Sequence, residues 1–346
     1  MKKLGKQLID YHFILIIVIV LLFPFLQSYV VQVFSPSFTV RNESELVEAV
    51  RHSRATITIN DTIHLESYIT IRTDVTIGGT GVITVANPHR HFVVERNGIL
   101  RLTGDVTLTL SEDYTGYGGG IAVNGGMLVM RGAQIVGNNW VIAPEDRMDY
   151  GSGHGGGVRV SDGGTFHLYN GTISNNTAIY GGGVNLTDFG SRFIMRGGYI
   201  QHNHANFGGG FLGGGVNWTG YFTLVTPSNA FQMYGGIISE NTARFIGGGV
   251  SLMGWPDASL HGGQISNNEA TAHGGIYRRG GFYEQFVNIG IGVRIIDNYP
   301  ANFDETPTHH LIYDWVVTPT IYRLLAVFAI AIVGCVCGFK RKKSIL

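Results

Sequence analysis

The side chains best suited to chemistry gather in two short stretches. Residues 139–154 carry Trp140, Glu145, Asp146, Asp149, Tyr150 and His154, and residues 202–211 carry His202, His204 and Phe207. Aromatic faces beside carboxylates suit sugar binding, because rings stack on the apolar faces of a sugar while carboxylates accept from its hydroxyls. The carboxylates could also hold Ca²⁺, which takes oxygen ligands. The histidines could hold Zn²⁺, although no H-x-x-x-H helix or CxxC pair accompanies them. Gly153-His154-Gly155 is a GHG triplet, with Asp146 and Asp149 before it on the same loop. Glycoside hydrolysis needs two carboxylates set across the scissile bond. Asp162 and Asp188 follow the strands of adjacent repeats, where they read equally well as solvated turn residues. We therefore assign no catalytic residue, no metal ligand and no cofactor, and treat the nine residues named first as ligand-binding candidates.

These residues must be positioned by a repeating scaffold. One phrase returns five times: MRGAQIVGN at 130–138, LYNGTISNN at 168–176, MRGGYIQHN at 195–203, MYGGIISEN at 233–241 and LHGGQISNN at 260–268. Glycine clusters lie between the copies at 118–121, 155–158, 181–184, 213–216, 247–250 and 274–276. Each repeat offers three short strands: one after the glycines, such as 158–160 and 184–186; one at 166–168 and its equivalents; and one centred on Ile135, Ile173, Ile200, Ile238 or Ile265. Strands this short cannot fold alone, so coil must stack on coil, Ile over Ile. Asn138, Asn176, Asn203, Asn241 and Asn268, with Asn298 after them, fall at one turn. Such a column can pair amide to amide, and Asn tolerates the left-handed backbone of a turn. We read these Asn as a structural ladder and the glycines as positive-φ corners. Residues 44–50 predict a short helix, capped by Asn42 or Ser44, that closes the open end of the stack. The expected fold is all-β, a right-handed single-stranded parallel β-helix of eight or nine coils with an N-terminal capping helix.

Insertions into a regular solenoid are the natural place for a site. From the turn Asn to the next strand Val takes 8 residues after Asn176 and 9 after Asn241, but 20 after Asn138 and 13 after Asn203. Two loops, about 139–154 and 204–213, are thus expected to bulge from the same corner, two coils or roughly 10 Å apart. A third insertion, about 219–229, leaves from another corner.

The paired GGG-Val and Ile-x-x-Asn phrases resemble the GGA-I and F-x-x-N repeats of chlamydial polymorphic membrane proteins. More broadly, residues 40–300 are similar to the parallel β-helix group that includes pectate lyases and bacterial surface proteins. The resemblance implies the fold. It leaves function open among adhesin, stalk and enzyme. The R-x-K of polygalacturonase-like hydrolases is not available, since all six Lys lie at the extreme ends of the chain.

Between Arg41 and Asp314 there are 16 Arg against 23 Asp plus Glu, so this Lys-free body is acidic and does not suggest nucleic-acid partners. Uncharged apolar runs at 13–26 and 324–339 lie beside the Lys clusters, and the positive-inside rule puts both tails in the cytoplasm. The expected organisation is a signal peptide or membrane anchor at 1–37, a cap and first coils at 38–117 and Gly/Asn-rich coils at 118–300. A linker at 301–318, a transmembrane helix at 319–339 and a basic tail at 340–346 follow. Both Cys, Cys335 and Cys337, fall in the last apolar segment, so disulfides cannot hold the body together. The expectation is a cell-membrane protein with an extracellular β-helix that binds glycan or a surface protein. A tethered polysaccharide lyase or hydrolase is the alternative.

Overall fold

The computed structural model describes residue 18 and residues 35–86, 88–111, 118–140, 153–187, 190–213, 229–253, 257–279 and 287–303. The expected terminal membrane segments and basic tail lie outside these residues, apart from Val18 and residues 35–37. Among the described residues no helix is long and apolar enough to cross a membrane.

The chain opens with strand Ser37–Val40 and the helix Glu43–Ala49. Asn42 caps the helix: its backbone is extended and its side-chain oxygen accepts from the Glu45 N–H at 2.9 Å. Glu45 reaches back to accept from the Arg41 N–H at 2.8 Å, so one unpaired donor of the first turn and the N–H just before the cap are both satisfied. Leu46 and Ala49 are buried, and the helix packs on the first strands of the stack.

Beyond this cap the fold is all-β, and the ladders between the described strands are parallel; the isolated bridges Glu95–Gly125 and Gly118–Asn139 are antiparallel. Three sheets share the described strands. The chain passes from the second sheet to the first, then to the third, and returns, laying each new strand beside the one a coil earlier. This is the stacking of a β-solenoid. In the first sheet ten successive strands run from Ser37–Val40 to Val287–Ile296. The second sheet carries the strands that follow the glycines, such as Val158–Ser161 and Val184–Leu186.

The expected columns are present. Ile135, Ile173, Ile200, Ile238, Ile265 and Ile295 are register partners in one file, and the first five are fully buried. Phe166, Phe193 and Phe231 form another, with ring centroids 5.0 and 5.3 Å apart and planes within 13°. Each such side chain contributes about 2 kcal/mol on leaving water, and the rung spacing lets like shapes interlock without voids.

The Asn column is a continuous hydrogen-bond ladder. Asn138 Nδ2 donates to Asn176 Oδ1 at 2.8 Å, and the same bond at 2.9 Å joins 176 to 203, 203 to 241, 241 to 268 and 268 to 298. From Asn176 onward each carboxamide oxygen also accepts the backbone N–H of the Asn before it, at 3.0 Å. Each Nδ2 from Asn176 onward donates in addition to a carbonyl of the Ile column. The ladder Asn are not the left-handed residues. The residue before each one is: Gly137, Asn175, His202, Glu240, Asn267 and Asp297 have φ between 54° and 69°. The turn therefore divides its labour, with positive φ on an exposed residue and amide pairing on the buried Asn that follows.

Three expectations are corrected. First, each coil has a further short strand after the ladder Asn, forming the third sheet: Asn139–Trp140, Thr177–Tyr180, His204–Phe207, Thr242–Ile246 and Glu269–Ala272. Second, the glycine corner of the coil after Asn203 is 208–210 rather than 213–215. Phe211, not Val216, stands between Val184 and Val250 in the second sheet. Residues 204–213 are thus strand and corner with no insertion, and the extra length lies beyond Gly213, outside the described residues. Third, the two long loops therefore do not leave from one corner. The glycines themselves are obligatory. Gly181, Gly208 and Gly247 have φ near 64°, and a Cβ on Gly209 would stand 2.5 Å from two carbonyl oxygens of the next coil.

Candidate functional site

The third sheet concentrates the chemistry. Its inward column is small: Ala178, Ala205, Ala243 and Ala270 are register partners and nearly fully buried. The outward and terminal positions of the same strands carry large polar and aromatic groups. His154 stacks on Tyr180 with centroids 4.8 Å apart and planes 19° from parallel. Tyr180 stacks on Phe207 at 5.4 Å and 11°, and Phe207 meets Phe245 at 5.1 Å. Tyr180 and Phe207 are register partners, but the next partner of Phe207 is Ile246. A β-irregularity inserts one residue there and turns Phe245 onto the ladder, leaving it 41 % exposed. A file of four rings thus runs across successive coils.

Beside it, on the same strands, lies an open hollow of about 550 Å³ lined by His204, Thr242, Arg244, Glu269, Thr271 and Tyr299. His204 Nδ1 bonds Thr242 Oγ1 at 2.7 Å, fixing the imidazole. Glu269 and Thr271 are exposed, and Tyr299 is 69 % exposed. The Arg244 guanidinium lies 5.1 Å from the Phe245 ring centre, joining hollow to ladder. The hollow offers a carboxylate, a guanidinium, hydroxyls and a flat ring. That donor set matches polyhydroxylated ligands.

At the first-coil end of the ladder the groups are committed to structure. Arg90 is buried, donates to the carbonyls of His154 and Gly155 at 2.6 and 2.9 Å, and lies 4.2 Å over the Trp140 ring. Burial, with the nearby Arg159 charge, depresses its pKa well below the usual arginine value. Trp140 Nε1 donates to the Gly119 carbonyl at 2.7 Å. Burial pushes the His154 imidazole down to about 4; its bond to Asn185 opposes that shift, and the Arg159 and Arg90 charges add to it. His154 is therefore neutral at physiological pH, as suits a ring stacked on Tyr180.

Of the candidates, His154, Phe207 and His204 come together on the third sheet, and Trp140 starts it but serves as a packing partner. His202 is a turn residue, 3.4 Å from the Glu240 carboxylate of the next coil, and is not in the hollow. Glu145, Asp146, Asp149 and Tyr150 lie outside the described residues, as does Asp188. Among the described residues no group of three His, Cys, Asp or Glu could hold a metal ion. Sequence reasoning missed Tyr180, Phe245, Arg244, Glu269 and Tyr299. A signal was available: Tyr180, Phe207 and Phe245 each stand four residues after a ladder Asn.

No protein-family model, curated protein or solved structure matches this chain.

Proposed function

We propose that this chain is a non-catalytic right-handed parallel β-helix, held at the cell membrane with its body outside the cell, that binds carbohydrate through its third sheet. The observation that supports this most is the ring file of His154, Tyr180, Phe207 and Phe245 beside the polar hollow. Rings spaced at rung intervals can follow consecutive sugars of one chain, while Glu269, Arg244 and Thr271 accept from and donate to their hydroxyls. The apolar ends of the sequence, each beside Lys, motivate the membrane placement. The test is a glycan array probed with the full chain in detergent, with Phe207→Ala and Glu269→Gln as comparisons. Binding that both substitutions weaken supports the reading. Absence of binding to any glycan, or indifference of every bound glycan to both substitutions, overturns it. Release of reducing ends or of unsaturated uronate would move the chain to the enzyme class.

A further inference from the structure

A second surface, on the outer side of the first sheet, has a different chemistry. The residues after the buried Met/Leu column stand on five consecutive coils: Arg131, Tyr169, Arg196, Tyr234 and His261. Cation and ring alternate. The Arg131 guanidinium lies 3.9 Å over Tyr169, Arg196 lies 5.3 Å from both Tyr169 and Tyr234, and Tyr234 stacks on His261 at 4.7 Å. Arg131, Arg196, Tyr234 and His261 are exposed.

Two facts make this more than a packing pattern. Among the described residues no carboxylate pairs with Arg131 or Arg196, although Arg51, Arg72 and Arg101 each face an Asp or Glu. The first-sheet strands Met127–Val136, Thr165–Ser174, Arg192–Met195, Tyr199–Gln201 and Asn229–Met233 contain no Asp or Glu, and the strand that carries His261, Asp257–Ser266, holds one, Asp257, at its first position, within a body that is acidic elsewhere. The strip is a local positive stripe on a negative molecule. Moreover, a guanidinium held over a ring leaves N–H groups available to an anion, and contact with the ring restricts its rotamers. Arg196 uses one nitrogen on His167 Nδ1 at 3.2 Å, and Arg131 donates to no acceptor among the described residues.

The spacing narrows the ligand. Adjacent rungs are ~4.8 Å apart, and Arg131 and Arg196 flank Tyr169 at 3.9 and 5.3 Å from its ring centre, so the two guanidiniums stand at most about 9 Å apart, roughly two rungs, with the tyrosine between them. A sugar in an extended chain advances by about one rung. We infer that this strip binds a linear polysaccharide with an acidic group on every second sugar, lying across the rungs with its anions on Arg131 and Arg196. A polymer charged on every sugar would set half of its anions against the tyrosines.

The experiment measures binding of the full chain in detergent to hyaluronan, which alternates acidic and neutral sugars. Polygalacturonate, neutral dextran and single-stranded DNA are run in parallel at two salt concentrations. The expected result is hyaluronan binding that is tighter than polygalacturonate binding and falls with salt. It should drop about tenfold or more in Arg131→Gln/Arg196→Gln, through loss of two charge-assisted contacts. Arg51→Gln, on the capping helix, should leave it unchanged. If the double Gln variant melts early, Arg131→Lys/Arg196→Lys replaces it; charge without the planar fork should still bind less well. The inference is overturned if hyaluronan does not bind or if the double variant binds as before. Polygalacturonate or DNA binding as tightly as hyaluronan would overturn it too. Because the Arg pair lies on the first sheet and the third-sheet reading is tested at Phe207 and Glu269, failure here is distinguishable from failure of that reading.

Discussion

Replacing Asn203 by Ala tests whether the Asn column holds the coils together. Its Nδ2 donates to Ile173 O and Gln201 O at 3.0 Å and to Asn241 Oδ1 at 2.9 Å, and its Oδ1 accepts from Asn176 N and Nδ2 at 3.0 and 2.9 Å. Ala removes all of these inside a buried turn, and the Asn176 backbone N–H loses its acceptor. Net hydrogen-bond values of about 1 kcal/mol, with about 1–3 kcal/mol for each buried group left unpaired, give a loss of about 3–5 kcal/mol. Urea unfolding followed by circular dichroism should show this as a lower midpoint, and hydrogen exchange should show faster exchange at the Asn176 amide. The exposed Asn170→Ala should stay within about 0.5 kcal/mol. Asn203→Asp sharpens the test. A carboxylate would face the Ile173 and Asn241 oxygens, so the folded state would raise its pKa above the unfolded value of about 3.9. The ionisation part of the deficit should then vanish below that pH, leaving the loss of amide donors, and grow as pH rises toward the raised folded value. An Asn203→Ala variant within about 1 kcal/mol of the parent would refute the view that these amides bind coil to coil.

Acid should loosen the early coils. His91 is fully buried, bonds Thr109 O at 2.9 Å, and burial holds its pKa down to about 4. Its neutral form is favoured by folding, so this stability is full above the unfolded pKa of about 6.5 and is lost as pH falls through about 4, by about 3 kcal/mol at most. His91→Gln should flatten that part of a stability-against-pH curve. Phe207→Ala should weaken glycan binding about tenfold, read by titration, from loss of one stacking ring. Gly209→Ala should cost about 2 kcal/mol or more in unfolding midpoint, because its Cβ meets the Thr242 and Gly248 carbonyls at 2.5 Å. Deleting residues 177–203 removes one 27-residue ladder interval and brings His204 to the place of its partner Thr177, so the shortened chain should fold with a strand-type spectrum.

The columns were legible because they repeat chemically. Ile and Asn return at fixed offsets, and a file of identical residues has one simple explanation. The third sheet was not, because its buried member is only Ala and its outer members change from coil to coil, as surface positions do. The segment after Asn203 misled because two glycine triplets, 208–210 and 213–215, compete for one corner. The interval decides between them: Gly181 to Gly208 repeats the step from Asn176 to Asn203, and the structure uses it. Of the site, Phe207, His154 and His204 were found from residue type. Phe245 depends on a strand irregularity that pattern alone does not reveal.

The amide column has a direction. Every carboxamide points its nitrogen toward the later coil and its oxygen toward the earlier one, so the small dipoles add head to tail. At the far end Asn298 donates to Asn302, four residues on, which stops the series with a plug from its own turn. At the near end the Asn138 oxygen has no donor among the described residues. The two termini of the column are thus chemically unlike. A longer version of this protein would have to gain units within the array, because appending one past residue 298 would first require evicting Asn302.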